Sequence, residues 1–125
     1  MEPSPLSIEA GFRAEQDACS FLEKNGMTFV AKNYRIEKMG EIDLIMQDQD
    51  HLVFVEVKLR NDGDFGLAAE MVDKPKQSRI IRTAKYYLQE TGQTEKVFCR
   101  FDVVAIMPAN HEQILWIKDA FQVQY

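Results

Sequence analysis

The chain predicts an α/β fold, bordering on α+β: a small mixed sheet flanked by helices, in the order α-β-β-β-α-β-β. Three observations carry this. Two stretches repeat apolar residues at helical spacing, Ala14-Ala18-Phe21-Leu22 and Ile80-Ile81-Ala84-Tyr87-Leu88. Three strand-like runs lie between them and two more follow. The run Leu52 to Val57 is apolar on both faces, as expected of a strand at the centre of a covered sheet. A chain of 125 residues suits one domain, 1–125, with a single sizeable core.

The elements follow in order. Residues 1–6 read as a loose arm, because Pro3 and Pro5 discourage regular structure. Ser7 can cap the first helix, and Asn25-Gly26 supplies its stop. Met27 to Arg35 alternates loosely and reads as a strand. Gly40 to Ile45 and Leu52 to Lys58 are the arms of a hairpin joined by Gln47-Asp48-Gln49-Asp50. Asn61 to Gly66 is a turn-rich loop, free enough in its glycines to close over a substrate. The second helix starts at about Ala68 or Lys76 and runs to Gln89, ended by Gly92. Strands from Val97 to Met107 and from Gln113 to Ile117 flank the turn Pro108-Ala109-Asn110. The tail Asp119-Ala120-Phe121 reads as a short helical turn.

Composition excludes several classes. Hydrophobic residues at 46% and charged residues at 28% fit a globular protein and argue against disorder. No apolar run is long enough to span a bilayer, and Met1 to Pro5 lacks the basic start and apolar stretch of a signal peptide. A cytoplasmic setting is expected, with no membrane partner. Cys19 and Cys99 fit no zinc or redox spacing and are expected to be unpaired, mostly buried thiols. The net charge of −5 counts against a general nucleic-acid-binding field. Locally, though, Lys74, Lys76, Arg79, Arg82 and Lys85 crowd one helix.

The hairpin carries the chemistry. Side chains alternate along a strand, so Glu41 and Asp43 share a face, as do Glu56 and Lys58. With Gln49-Asp50 as a two-residue turn, Asp48 pairs with His51, Asp43 opposes Glu56, and Glu41 opposes Lys58. Directly opposed like charges destabilise a sheet. A divalent cation offsets that repulsion, and Mg²⁺ or Mn²⁺ takes carboxylate oxygens as ligands. Glu15, on the shoulder of the first helix's apolar stripe, is placed to approach the pair. Gln77 and Lys74, in and beside the stripe of the second helix, are candidates for contacts to phosphate or to the residues behind the site.

Asp43 followed by Glu56-Val57-Lys58 resembles the D…(D/E)-x-K signature of the PD-(D/E)XK nuclease superfamily, with Ile42 standing where that pattern has proline. The wider pattern resembles the YraN family of bacterial proteins, themselves similar to Holliday-junction resolvases. It includes Gly11-Phe12-Arg13-Ala14-Glu15, Asn33-Tyr34-Arg35, Gly40 to Ile45, Val53 to Lys58, Phe65-Gly66, Lys85 to Leu88 and Arg100 to Val104. The resemblance implies a restriction-endonuclease-like core and Mg²⁺- or Mn²⁺-dependent hydrolysis of phosphodiester bonds in DNA, branched or junction DNA included. It also implies a homodimer. Carried over by position, Glu15, Asp43, Glu56 and the Val57 carbonyl are metal ligands. Asp43, Glu56 and Lys58 are catalytic; Glu41, read from the strand pattern and not from the resemblance, is expected to pair with Lys58 or to support the site from behind.

The competing reading is a nuclease-fold nucleic-acid-binding or scaffold protein without turnover. In that case Asp43, Glu56 and Lys58 are a cross-strand salt-bridge cluster, and the basic helix run is a solvated face. Asp102 beside Arg100 reads as a strand-end ion pair. His51 and His111, each in a turn, have no partner spacing for a ligand or base. Tyr86 and Tyr87 are expected to divide between surface and core.

Overall fold

The computed structural model describes residues 5–59, 72–94, 97–107 and 110–123, and its element order is the predicted one: α1 (Pro5–Lys24), β1 (Thr28–Ile36), β2 (Gly40–Asp48), β3 (His51–Leu59), α2 (Lys74–Glu90), β4 (Phe98–Met107) and β5 (Asn110–Phe121). The strands form one five-stranded sheet in sequential order. Three neighbouring pairs are antiparallel. The β3–β4 pair is parallel, and α2 makes the crossover between its strands. β3 is therefore central, as its two-sided apolar pattern predicts.

Among the described residues, one helix packs on each face of the sheet. Ala14, Ala18 and Leu22 of α1 pack with Leu44, Met46, Val53, Val55, Val104 and Ile106. Ile80, Ala84 and Tyr87 of α2 pack on the other face with Ile45, Leu52, Phe54, Phe101 and Val103. Thr83 is buried with them, its hydroxyl donating to the Arg79 carbonyl at 2.8 Å. The helix meets β2 closely at Gly40, where a Cβ would stand 2.8 Å from the Thr83 Oγ1. Among the described residues no helix is long and apolar enough to cross a membrane.

Helix ends follow their chemistry. α1 starts at Pro5, ahead of Ser7; proline is tolerated in a first helical turn, where its missing N–H has no partner to lose. It stops at Lys24, with Gly26 at φ 93° and the Met27 N–H returning to the Leu22 carbonyl at 3.1 Å. α2 starts between the two predicted positions. Asp73 is its N-cap, accepting from the Lys76 N–H at 2.9 Å, with Pro75 in the first turn.

Local features break strict alternation. Leu44 faces α1, yet Ile42 packs in the core under α2. Between the register pairs Lys32↔Leu44 and Tyr34↔Ile42, Asn33 adopts a left-handed φ of 51°. The facing of this sheet edge reverses there, at the level of Asp43. At the other edge the predicted tail turn is corrected: β5 begins at Asn110, so His111 lies in a strand, and continues through Phe121. Asp119, at φ 53°, absorbs the register shift instead of starting a helix. The predicted Asn61 to Gly66 loop and the Pro108-Ala109 turn lie outside the described residues.

Candidate active site

The hairpin closes as expected, with Asp48↔His51 flanking the Gln49-Asp50 turn. The backbone ladder between β2 and β3 then runs to Leu44↔Val55 and stops. Beyond it, the Asp43 Oδ2 accepts the Val57 N–H at 2.8 Å, so a side chain continues what the backbone ladder leaves off. The expected register pairs Asp43–Glu56 and Glu41–Lys58 thus lie past the end of the paired ladder. The electrostatic consequence of the first pair is nevertheless present. Burial, then repulsion by Glu56, push the Asp43 pKa up to about 8. Glu15 and Glu41 add to the rise, while the Val57 hydrogen bond opposes it.

Glu15 comes from α1, one position after the buried Ala14, and is half-buried against the sheet as its shoulder position predicts. Its pKa is raised, first by burial and then by Glu41; Lys32 opposes and Glu56 adds. Asn33 mediates between the two acids. With the amide nitrogen turned to the carboxylates, it donates to Glu15 Oε2 at 2.7 Å and to Glu41 Oε1 at 3.2 Å. Glu41 therefore meets Asn33 rather than Lys58.

Glu56 is buried, only 6% exposed. A buried carboxylate needs a partner, and it finds one in Lys76, whose Nζ lies 2.6 Å from Oε1. Burial works against the Lys76 charge, but the hydrogen bond and charge of Glu56 outweigh it and raise its pKa. Lys58 is half-buried and makes no hydrogen bond or ion pair to the described residues. The cation that pairs with Glu56 is thus Lys76, not Lys58. Sequence reasoning counted Lys76 only as part of a basic helix run. The available signal was Asp73-Lys74-Pro75, an N-cap followed by proline, which sets the phase of the first turn.

Lys74 and Gln77 are not brought to the carboxylates. They line a separate groove of about 270 Å³ with Ile81, Arg82 and Gln122. The Gln77 amide donates to the Val72 carbonyl at 2.9 Å, tying the helix start to the segment before it.

The remaining polar candidates resolve into structural roles. Asp102 is fully buried and accepts from Arg100 Nε at 3.0 Å, Trp116 Nε1 at 3.0 Å and the Asp119 N–H at 2.9 Å. Arg100 also reaches Asp48 at 2.9 Å. The expected ion pair is present, within a larger network that pins β5 to β4. His51 contacts Asp50 at the hairpin turn. Tyr87 is buried and Tyr86 exposed. Both cysteines are free, but Cys99 is exposed, since it sits near the start of β4 before the strand enters the core.

The donor set around Asp43 is all oxygen, which suits a hard divalent ion, and the repulsion that adds to burial in raising the Asp43 pKa is what such an ion would relieve. As the side chains stand, no three acidic, imidazole or thiol groups among the described residues converge on one point. Holding an ion on Asp43, Glu56 and Glu15 therefore calls for side-chain rotation and release of Glu56 by Lys76.

Comparison with known proteins finds sequence relatives over nearly the whole chain. A Coxiella burnetii UPF0102 protein (strain RSA 493) is 48% identical over 120 residues, covering 96% of this chain and 98% of its own length. A UPF0102 protein of Nitrosococcus oceani is 44% identical over 117 residues, covering 93% and 94%. One from Francisella tularensis subsp. tularensis is 43% identical over 117 residues, covering 94% and 97%. The family model described as "Uncharacterised protein family UPF0102" matches residues 14–106, a span that holds Glu15, Asp43, Glu56, Lys58 and Lys76. The chain belongs to the UPF0102 (YraN) family.

Proposed function

We propose that this protein is a Mg²⁺- or Mn²⁺-dependent nuclease hydrolysing phosphodiester bonds in DNA, with branched DNA among its substrates. The observation that carries this reading is the state of Asp43. It is a carboxyl held against the Val57 N–H and pushed up to about 8 by burial and by three neighbouring carboxylates. Such perturbation concentrates at functional sites. Asp43, Glu56, Glu15 and the Val57 carbonyl would hold the ion. When bound, the ion would polarise the phosphoryl oxygen and acidify an attacking water. The Asn33 amide holds Glu15 in place beside Glu41. Lys58, without a partner among the described residues, has its ammonium available to a phosphate oxygen or to the attacking water.

A second reading is favoured by one contact. The Lys76–Glu56 ion pair already gives the buried Glu56 a protein partner, as a binding protein without turnover would need. Cleavage assays separate the two. Labelled single-stranded, duplex, flap and four-way-junction DNA would be incubated with Mg²⁺, Mn²⁺ or chelator, with Asp43→Ala and Lys58→Ala proteins alongside. Metal-dependent cutting lost in both variants is the expected result. Binding without cutting under every condition would move the protein to the second reading.

A further inference from the structure

The acidic site opens onto a groove between the first half of α1 and β1. One end, of about 510 Å³, is lined by Ile8, Phe12, Arg35 and Glu41. The other, of about 450 Å³, is lined by Phe12, Phe29 and Lys32. Glu15 and Asn33 line both, so the groove is continuous with the carboxylates. Each end lies within the roughly 300–1,000 Å³ of ordinary small-ligand pockets.

Its walls combine two features seldom left together on a free surface. Phe12 is 60% exposed, Ile8 46% and Phe29 41%, beside a strongly polar site. Packing of α1 does not account for the exposure of Ile8 and Phe12: the apolar residues of α1 buried against the sheet are Ala14, Ala18 and Leu22. Lys32 and Arg35 are exposed on β1 along the same groove. An aromatic face flanked by cations matches a base and the phosphates on either side of it. Bases within a duplex are stacked and paired and cannot enter such a groove; an unpaired base can.

We infer that this groove takes an unpaired nucleobase stacked on Phe12, with its phosphates held by Lys32 and Arg35. The substrate class of the site is then nucleic acid with an unpaired nucleotide beside the phosphodiester that faces Asp43. The inference rests on the nuclease reading for the word substrate. The binding it describes is testable without turnover.

The test uses Asp43→Asn protein and short DNAs carrying a fluorescent adenine analogue, single-stranded, in a flap, or in a blunt duplex. Expected are analogue quenching and binding about tenfold tighter to the single strand and flap than to the duplex. Phe12→Ala should lose about tenfold in affinity and the quenching, and Phe12→Tyr should restore both. Removing Lys32 and Arg35 together should lower the salt dependence by roughly 0.7 for each phosphate that is no longer neutralised. Phe12 is exposed, so its variants should fold, and circular dichroism of each checks that. Equal affinity for all three DNAs, or an unchanged Phe12→Ala protein, overturns the groove assignment. Self-association lost in Phe12→Ala would assign the groove to a second copy and overturn it too. Selective binding with no cleavage by the wild type would leave the groove standing and sink the nuclease reading alone.

Discussion

Lys76 reaches from the first turn of α2 to set its ammonium 2.6 Å from Oε1 of Glu56, so the positive charge of the carboxylate site is delivered by a helix and not by the strand that carries Lys58. The contact is nearly buried on one side and open on the other. Glu56 is 6% exposed and Lys76 39%. An ammonium at that oxygen competes with any metal ion for it. Lys76→Met, which keeps the length of the side chain, should therefore bind Mn²⁺ about tenfold more tightly, or ~1.4 kcal/mol. Isothermal titration measures it. Weaker binding in Lys76→Met would mean that Lys76 assists the ion instead.

Asp43 makes the fold pH-sensitive in a direction opposite to most carboxylates. Its pKa rises on folding from an ordinary 3.8 to about 8. The folded chain therefore holds this proton longer than the unfolded chain. That contribution to stability is complete below the ordinary pKa and is lost as pH climbs through about 8. Glu15, raised in the same direction, adds to the trend. Thermal unfolding of the wild type should fall between pH 5 and pH 9, while Asp43→Asn, whose amide oxygen can still accept the Val57 N–H, should flatten the curve. Its Tm should exceed that of the wild type at the alkaline end, by roughly 4 °C for each kcal/mol of repulsion removed. Parallel curves for the two proteins would contradict the shift.

Asp102 carries a large structural role. It has no exposure and accepts from Arg100, Trp116 and the Asp119 backbone. Asp102→Ala leaves Arg100 partly buried with one carboxylate fewer and orphans the other donors, a loss of about 3–5 kcal/mol. Trp116→Phe removes a single donor and should cost about 1–3 kcal/mol, because it leaves a buried acceptor short of a partner. Urea denaturation gives both values, and the ranking should be Asp102→Ala well below Trp116→Phe.

Asn33 has two duties that different substitutions separate. Its left-handed backbone tolerates glycine, while its amide spans Glu15 and Glu41. Asn33→Ala should be less stable than Asn33→Gly by about 1 kcal/mol, since a Cβ is penalised at that φ. Both variants lose the bridge between two carboxylates, so both should show a Glu15 titration moved further up, as NMR of the side-chain carboxyl would report. Equal stability of the two variants would argue that the backbone at 33 relaxes.

The hairpin, the central strand and both helix stripes were legible because each rests on periodicity, which burial enforces. The site was legible in its acids and not in its cation. Glu56 and Glu15 lie on elements whose facing is set by neighbouring apolar residues, while Asp43 sits where the facing of β2 reverses. Lys76 depends on the phase of a helix start, and an uncertainty of a few residues between Ala68 and Lys76 turns a side chain anywhere around the axis. Alternation failed at Ile42 for a related reason. The reversal comes from the φ of Asn33 on the partner strand, and nothing in the residues of β2 announces it. The β5 tail was misread because a polar Asp119 resembles a helix start. In the fold, its backbone N–H is committed to Asp102.

Gly40 gives the site a control that touches none of its charges. The helix that carries Lys76 also carries Thr83, and Thr83 rests where a side chain on residue 40 would be. A hydrogen atom thus acts as the spacer between helix and sheet, and the reach from α2 to Glu56 is drawn to that gauge. Any methyl added there would have to lift the helix or displace Thr83. Lifting it would slacken the Lys76–Glu56 pair from the far side of the helix, leaving all four carboxylates in sequence while retuning the charge they share.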